Sequence, residues 1–223
     1  MGWIFYEAYA LAFAGHGAGH LPHRLRRLPS ERAPGDSYAV YDIDNDGREE
    51  LLFSLSGTTY VREYRDSVLY EELRAFTYGL IFYDNGAVHE DWSHSQGWAG
   101  ENFWPYALHI YDPKTDIYDS VGAVDAWDIS CLADGFPADK DQDGDGMLYF
   151  LYITDEDWDM RYGKDASPAE AAVDGPVYEA WRDSILQDGQ PAKVPWLSLT
   201  RENIAALDYP EPEMPDWRSY IPG

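Results

Sequence analysis

Two hydrophobic periods divide the chain into regions of different secondary structure. Between Trp3 and Phe13, apolar side chains recur at helical spacing, so the pattern predicts a short N-terminal helix there. A glycine-rich stretch at residues 15–20 ends this helix. The basic segment that follows, up to residue 35, contains three prolines. We expect that segment to form an irregular arm.

From Tyr38 onward the hydrophobic period falls to two, which is typical of β-strands. The segments that predict strands are Tyr38–Tyr41, Leu51–Leu55, Thr58–Arg65, Phe76–Tyr83, Ala87–Trp92, Tyr106–Tyr111, Ile117–Val121 and Met147–Ile153. The Asn85-Gly86 pair predicts a tight hairpin between two of them. A second hairpin is expected across Asp112–Asp116. Short connections of this kind favour a mostly antiparallel sheet.

The C-terminal part returns to helical signals. Ser167, Pro168 and Glu170 are the residue types preferred at the start of a helix. A second helix is predicted over Val177–Leu186, and a short capped one over Thr200–Leu207. In the Val177–Leu186 helix, the side chains expected to face inward are Tyr178, Trp181, Ile185 and Leu186.

Together these elements predict one α+β domain that covers residues 1–223. Residues 1–35 form its N-terminal helix and basic arm. Residues 36–165 form a β-rich body that carries a strand-loop-strand motif. Residues 166–223 form a helical part with an extended tail. No linker rich in Gly, Ser or Pro divides the body.

Composition and charge narrow the possible functions. Apolar residues make up 45% of the chain and aromatic residues 16%, which indicates a folded protein. The net charge is −25, and because residues 1–35 carry four Arg against two Glu, the remainder holds −27. Such a surface repels nucleic acids and anionic lipids. It could instead capture a basic protein, although solubility alone also explains the charge. No apolar run is long enough for membrane insertion as a helix.

The acidic loop between the first two predicted strands is the strongest candidate for a binding site. Its candidate ligands are Asp42, Asp44, Asp46, the backbone carbonyl of Arg48, and Glu50. Calcium prefers six to eight such oxygen ligands. Alternating aspartates can all turn inward in a tight loop, and Gly47 permits the sharp bend. We therefore predict calcium as the cofactor, and we expect it to order the loop.

The spacing of the closing acid separates this loop from an EF-hand. An EF-hand needs its bidentate acid at position 12 and a helix after it. Counted from Asp42, position 12 is Phe53, which cannot bind a cation. The closing acid, Glu50, stands at position 9, and a β-prone segment follows it.

The sequence from Tyr41 to Leu52 resembles the calcium motif of FG-GAP and VCBS repeats, with the pattern D-x-D-x-D-G-x-x-E. The resemblance implies calcium bound by the ligands named above. Such repeats occur in integrin-type β-propellers and in secreted bacterial proteins. A propeller needs at least four blades, whereas this chain has two copies of the motif. More broadly, the segments at Trp181–Leu186 and Leu199–Ile204 are similar to secreted or surface proteins of gut bacteria, which implies a secreted or cell-surface location and no particular activity.

The second copy lacks a closing acid. Its candidate ligands are Asp139, Asp141, Asp143 and Asp145. A frame that starts at Asp141 places Tyr149 at position 9, and a frame that starts at Asp139 places Met147 there. A distant acid or a water molecule would have to complete the shell. Candidate acids lie at Asp125, Asp128, Asp155, Glu156, Asp157 and Asp159. Acidic surface turns are the simpler explanation for both loops.

An aromatic segment at residues 89–104 suggests a surface for a protein or glycan partner. The side chains expected to bind the partner are Trp92, His94, Trp98 and Trp104. An alternative function is that of a carbohydrate-active hydrolase that uses Glu90, Asp91 or Glu101, because acids beside aromatic rings suit acid–base chemistry on a sugar. Loops of this composition are also common as structural covers.

Histidine and cysteine add little to these hypotheses. His16, His20 and His23 lie in or beside the glycine-rich stretch without nearby acids or cysteines, so a transition-metal site is a weak hypothesis. The single cysteine, Cys131, excludes an internal disulfide, which fits a cytosolic protein and equally a secreted protein of a bacterium that rarely uses disulfides. Gly2–Ala14 lacks the basic start of a signal peptide. A secreted location would therefore require a leader that is absent from this sequence.

Overall fold

The computed structural model describes residues 36–65, 68–76, 79–91, 98–152, 168–200, 202–203 and 206. Its elements are, in chain order, β1 (Ser37–Tyr41), β2 (Glu50–Leu55), β3 (Thr58–Arg65), β4 (Val68–Phe76), β5 (Ile81–Phe82), β6 (Ala87–Asp91), β7 (Tyr106–Asp112), β8 (Ile117–Asp128), β9 (Met147–Tyr152), α1 (Pro168–Ala171), α2 (Gly175–Leu186) and β10 (Leu197–Ser198). The predicted N-terminal helix and basic arm lie outside the described residues.

The strands form two antiparallel sheets of five strands each. The first sheet has the order β10-β1-β2-β3-β4, and the second has the order β5-β6-β7-β8-β9. Within each sheet, strands that follow one another in sequence pair, and β10 pairs with β1 at the edge of the first sheet. The prediction of a mostly antiparallel β-fold is therefore confirmed. The loop at residues 42–49 joins two paired strands, so the strand-loop-strand arrangement is confirmed as well.

The predicted strand over Phe76–Tyr83 is wrong. Residue 76 ends β4, and a separate short strand begins at Ile81. The hairpin predicted at Asn85-Gly86 is confirmed, because Gly86 N–H donates to the carbonyl of Tyr83 at 3.2 Å and β5 pairs with β6. The sequence does not predict strand β4. A β-bulge within Val68–Phe76 interrupts the alternation of inward and outward side chains.

The main core lies between the two sheets. Side chains of the first sheet, such as Leu52, Val61 and Leu73, pack with Phe82 and Val88 of the second. Leu52, Val61 and Val88 are fully buried. Burial of such side chains stabilises the fold by roughly 1.5–3 kcal/mol each. The core therefore holds loops from both sheets in fixed relative positions.

Helix α2 covers the other face of the second sheet. It presents Tyr178, Trp181 and Ile185 to a cluster that includes Leu108 and Val124. The predicted helix over Val177–Leu186 and its inward face are thus confirmed. The start of α1 at Pro168 also agrees with the predicted helix start.

The approach of helix α2 to the sheet depends on one glycine. A Cβ atom added to Gly122 in β8 would lie 2.6 Å from Cζ2 of Trp181, closer than real contacts allow. Glycine therefore lets the indole ring lie directly on the strand. Within the residues that the structure describes, no helix is long and apolar enough to cross a membrane.

Candidate metal centre

The loop at residues 42–49 bends tightly around its own aspartates. Asn45 and Gly47 adopt positive φ angles of 63° and 91°. The N–H of Gly47 donates to Oδ2 of Asp42 at 3.2 Å, and the N–H of Asp46 donates to Oδ1 of Asp44 at 3.0 Å. These bonds fix one oxygen of each carboxylate and leave the other available.

Three of the predicted ligands come together in this loop. Asp42, Asp44 and Glu50 each offer a carboxylate oxygen, and these oxygens lie within 4.8 Å of one another. Two oxygens bound to the same calcium ion at about 2.3–2.6 Å are at most about 5 Å apart. Oδ1 of Asp42 and Oδ2 of Asp44 are buried and have no hydrogen-bond partner among the residues that the structure describes. The donor set and its spacing therefore fit a hard divalent cation.

Glu50 is the most enclosed of the three acids. Its side chain is only 1% exposed, and Oε2 accepts a hydrogen bond from the N–H of Ile43 at 2.8 Å. Burial, together with the charges of Asp44 and Asp42, raises the pKa of Glu50 to about 8. A buried carboxylate beside two others is costly unless a positive charge compensates it.

Asp46 and Arg48 form a separate ion pair at the rim of the loop. Nε of Arg48 donates to Oδ2 of Asp46 at 2.8 Å, and Nη2 contacts the same oxygen. The guanidinium also lies 2.8 Å from Oε1 of Glu63. Asp46 is therefore outside the group formed by Asp42, Asp44 and Glu50, and its role as a ligand stays a prediction, as does that of the Arg48 carbonyl.

The second acidic loop repeats the hydrogen bonds of the first. The N–H of Gly146 donates to Oδ2 of Asp141 at 3.1 Å, and the N–H of Asp145 donates to Oδ1 of Asp143 at 3.1 Å. Gly144 and Gly146 have φ angles of 75° and 82°, at the positions that Asn45 and Gly47 occupy in the first loop.

The hydrogen bonds and φ angles of the second loop match those of the first when the motif is counted from Asp141. The carboxylates of Asp141, Asp143 and Asp145 offer oxygens within 4.8 Å of one another. Asp139 is exposed and is not part of this group.

Asp174, at the start of helix α2, lies against the second loop in the place that Glu50 takes in the first. Its Oδ2 accepts a hydrogen bond from the N–H of Gln142 at 3.2 Å, whereas its Oδ1 is buried and has no partner among the described residues. The side chain is 9% exposed and does not cap its own helix. The carboxylate therefore faces the loop, where a closing acid is needed.

Of the acids that the sequence offers for this position, the two that the structure describes, Asp125 and Asp128, do not take it. Asp128 accepts hydrogen bonds from Asn102 and from the N–H of Ser130. Asp125 accepts one from the N–H of Ala126. The acids at 155, 156, 157 and 159 lie outside the described residues. The sequence does not predict that Asp174 lies at the second loop, because an aspartate before a helix suggests only an ordinary helix cap.

Two of the four predicted partner-binding residues are described. Trp98 and Trp104 are 39% and 38% exposed, which is unusual for such large apolar side chains. The ring of Trp98 packs edge-on against Trp127, with 4.7 Å between centroids. Trp92 and His94 lie outside the described residues.

The acids of the alternative catalytic hypothesis do not converge. Oε2 of Glu90 lies 2.8 Å from Nε2 of His109, and Oδ1 of Asp91 lies 3.0 Å from Nε2 of His89. Consecutive residues of a strand face opposite sides of the sheet, so Glu90 and Asp91 point apart. Glu101 is exposed in a turn. A hydrolase function stays a prediction.

Comparisons with family models, with curated proteins and with solved structures give no match. The likeness to FG-GAP and VCBS repeats therefore stays a prediction that depends on the sequence of the first loop.

Proposed function

We propose that this protein is a calcium-binding module with one cation site in each acidic loop. The observation that carries the proposal is the set of buried carboxylate oxygens without partners, on Asp42, Asp44 and Asp174. Buried polar atoms are nearly always bonded in folded proteins. A bound cation supplies the missing partner in both loops.

Charge supports the same conclusion. The first loop brings together three carboxylates, and burial raises the pKa of two of them, Asp44 and Glu50. Calcium would offset this repulsion and remove the need for protons on the acids. Because Asp174 lies at the start of helix α2, calcium in the second loop would also fasten that helix to the second sheet.

The proposal includes a secreted or cell-surface location and a protein or glycan partner. Extracellular modules work with calcium dissociation constants of about 10⁻⁴–10⁻³ M. The exposed rings of Trp98 and Trp104 supply an apolar contact area. Tryptophan is enriched among the residues that dominate binding energy. Calcium would act on stability, and the aromatic surface on recognition.

Thermal unfolding tests the proposal. Addition of calcium to chelator-treated protein should raise the melting temperature, and chelator should reverse the change. The double variant D42N/D141N should lose most of this response. D119N, in which an exposed acid outside both loops is changed, is the matched control and should respond like the original protein. Equal melting curves with calcium and with chelator would contradict the proposal.

A further inference from the structure

Glu72, in β4, is an acid that neither loop site explains. It is 4% exposed, and neither of its carboxylate oxygens has a hydrogen-bond partner among the described residues. A buried acid with no partner at all is rare and costly.

A β-bulge points this acid inward. Val61 pairs with Leu73 and Arg62 pairs with Glu71, so Glu72 is the extra residue of the bulge. Leu73 is buried and Arg74 is exposed. Strict alternation would therefore place Glu72 on the outside. Bulges are frequent next to functional sites because they redirect a side chain.

The Glu72 side chain faces carboxylates from two other parts of the fold. One oxygen each from Asp44, Glu72 and Asp116 lie within 4.8 Å of one another. Asp44 belongs to the first acidic loop, and Asp116 belongs to the turn between β7 and β8. Oδ1 of Asp116 accepts a hydrogen bond from the hydroxyl of Tyr111 at 2.6 Å. The group thus joins both sheets at the end of the shared core.

The surroundings of Glu72 add further negative charge. Burial, with the charges of Glu50, Asp116 and Asp44, raises the pKa of Glu72 to about 9. The hydroxyl of Tyr118, also buried, has no hydrogen-bond partner either, and Asp44 and Glu72 both act on it electrostatically.

We propose that Asp44, Glu72 and Asp116 form an additional divalent-cation site, in which Asp44 is shared with the site of the first loop. Five carboxylates then surround two cations: these three together with Asp42 and Glu50. Two divalent ions leave this cluster with one net negative charge, whereas a single ion leaves three. The inference rests on the proposed function because Asp44 serves both sites.

The additional cation would have a structural consequence that the loop sites lack. It would tie β4 of the first sheet to the β7–β8 turn of the second. By contrast, the ligands of the first-loop site all belong to the hairpin of β1 and β2, so a cation there connects parts of the chain that are already joined. Calcium would therefore stabilise the packing of the two sheets as well as the order of a loop.

Counting bound calcium tests the inference. Equilibrium dialysis followed by elemental analysis should show one calcium ion fewer per chain in E72Q than in the original protein. The matched control is E71Q, since Glu71 is the exposed neighbour that pairs with Arg62; it should bind as many ions as the original. D116N should also bind one ion fewer than the original protein, although it leaves all the ligands of the first-loop site unchanged.

Stability without calcium distinguishes a cation ligand from a structural acid. In chelator, E72Q should melt higher than the original protein, because the amide needs neither a buried charge nor a bound proton. In calcium, its advantage should vanish or reverse. An E72Q protein that binds as many ions as the original would overturn this inference alone. Absence of calcium binding in the original protein would instead overturn the proposed function.

Discussion

Glu50 and Asp174 hold equivalent places in two acidic loops that are far apart in the sequence. Each accepts a hydrogen bond from the backbone N–H of the second residue of its loop, at 2.8 Å from Ile43 and at 3.2 Å from Gln142. Glu50 is the first residue of the strand that follows its own loop, whereas Asp174 comes from the start of helix α2. In the first loop, the carboxylate at this position comes from the adjacent residue of the chain. In the second loop, it comes from a distant segment that the tertiary structure brings close.

This difference has a consequence for how calcium acts on the fold. The first loop can close as soon as β1 and β2 pair. The second loop is complete only when helix α2 lies on the second sheet. We therefore expect calcium binding at the second loop to be coupled to the docking of that helix.

Replacement of Glu50 by Gln should have opposite effects with and without calcium. The amide still accepts a hydrogen bond from Ile43 and, unlike Glu50 with its raised pKa, needs no proton to be neutral in the fold, so the free energy of unfolding in chelator at neutral pH should rise by about 1–3 kcal/mol. The gain from added calcium should shrink, because a neutral amide is a weaker ligand. Urea unfolding in both conditions measures this, with E49Q, at an exposed neighbour, as the control. An E50Q protein that is less stable in chelator would contradict the charge argument.

Replacement of Asp174 by Asn should weaken calcium at the second loop alone. Loss of this carboxylate should lower that affinity about 10-fold or more, while the first-loop site stays unchanged. Calorimetric titration isolates the second loop in a D42N/E72Q background, which removes both the first-loop site and the additional site. D183N, on the exposed side of the same helix, should bind calcium as the original does. Equal affinities in D174N and D183N would exclude Asp174 as a ligand.

Substitution of Gly122 by Ala should displace helix α2. The added methyl group overlaps the indole of Trp181, so the free energy of unfolding should fall by about 1–3 kcal/mol. Because α2 carries Asp174, calcium affinity at the second loop should fall too. The double variant G122A/W181L, with a smaller side chain at the contact, should recover part of both losses. If G122A lowers stability without any change in calcium affinity, the proposed coupling is wrong.

The two exposed tryptophans should respond differently to truncation. W104A should keep the stability of the protein within about 0.5 kcal/mol, as is usual for surface substitutions. W98A should destabilise it, because Trp98 packs against Trp127 and Phe150. A panel of immobilised glycans provides the binding assay. For any glycan retained by the original protein, W104A should weaken binding by about 30-fold, the effect of losing a dominant contact of roughly 2 kcal/mol. Unchanged binding in W104A would remove Trp104 from the proposed surface.

Much of the fold could be predicted from local sequence. The period of two predicted β1, β2 and β3, and the Asn85-Gly86 pair predicted the β5–β6 hairpin. The apolar face of Val177–Leu186 predicted helix α2 and the side that it buries. These signals are local because backbone hydrogen bonds and alternation involve neighbouring residues. The spacing of the aspartates also located both acidic loops.

The sequence therefore determined strands such as β1, β2 and β3, helix α2 and the two acidic bends, since each depends on residues a few positions apart. Tertiary structure alone decided which further acids join them. Glu72 reaches the first cluster only because a bulge reverses its direction and the sheets pack together. Asp174 reaches the second loop only because helix α2 lies on the sheet. Carboxylates interact through space over a few ångströms, so their partners are set by where the packed chain places them and not by their distance along it.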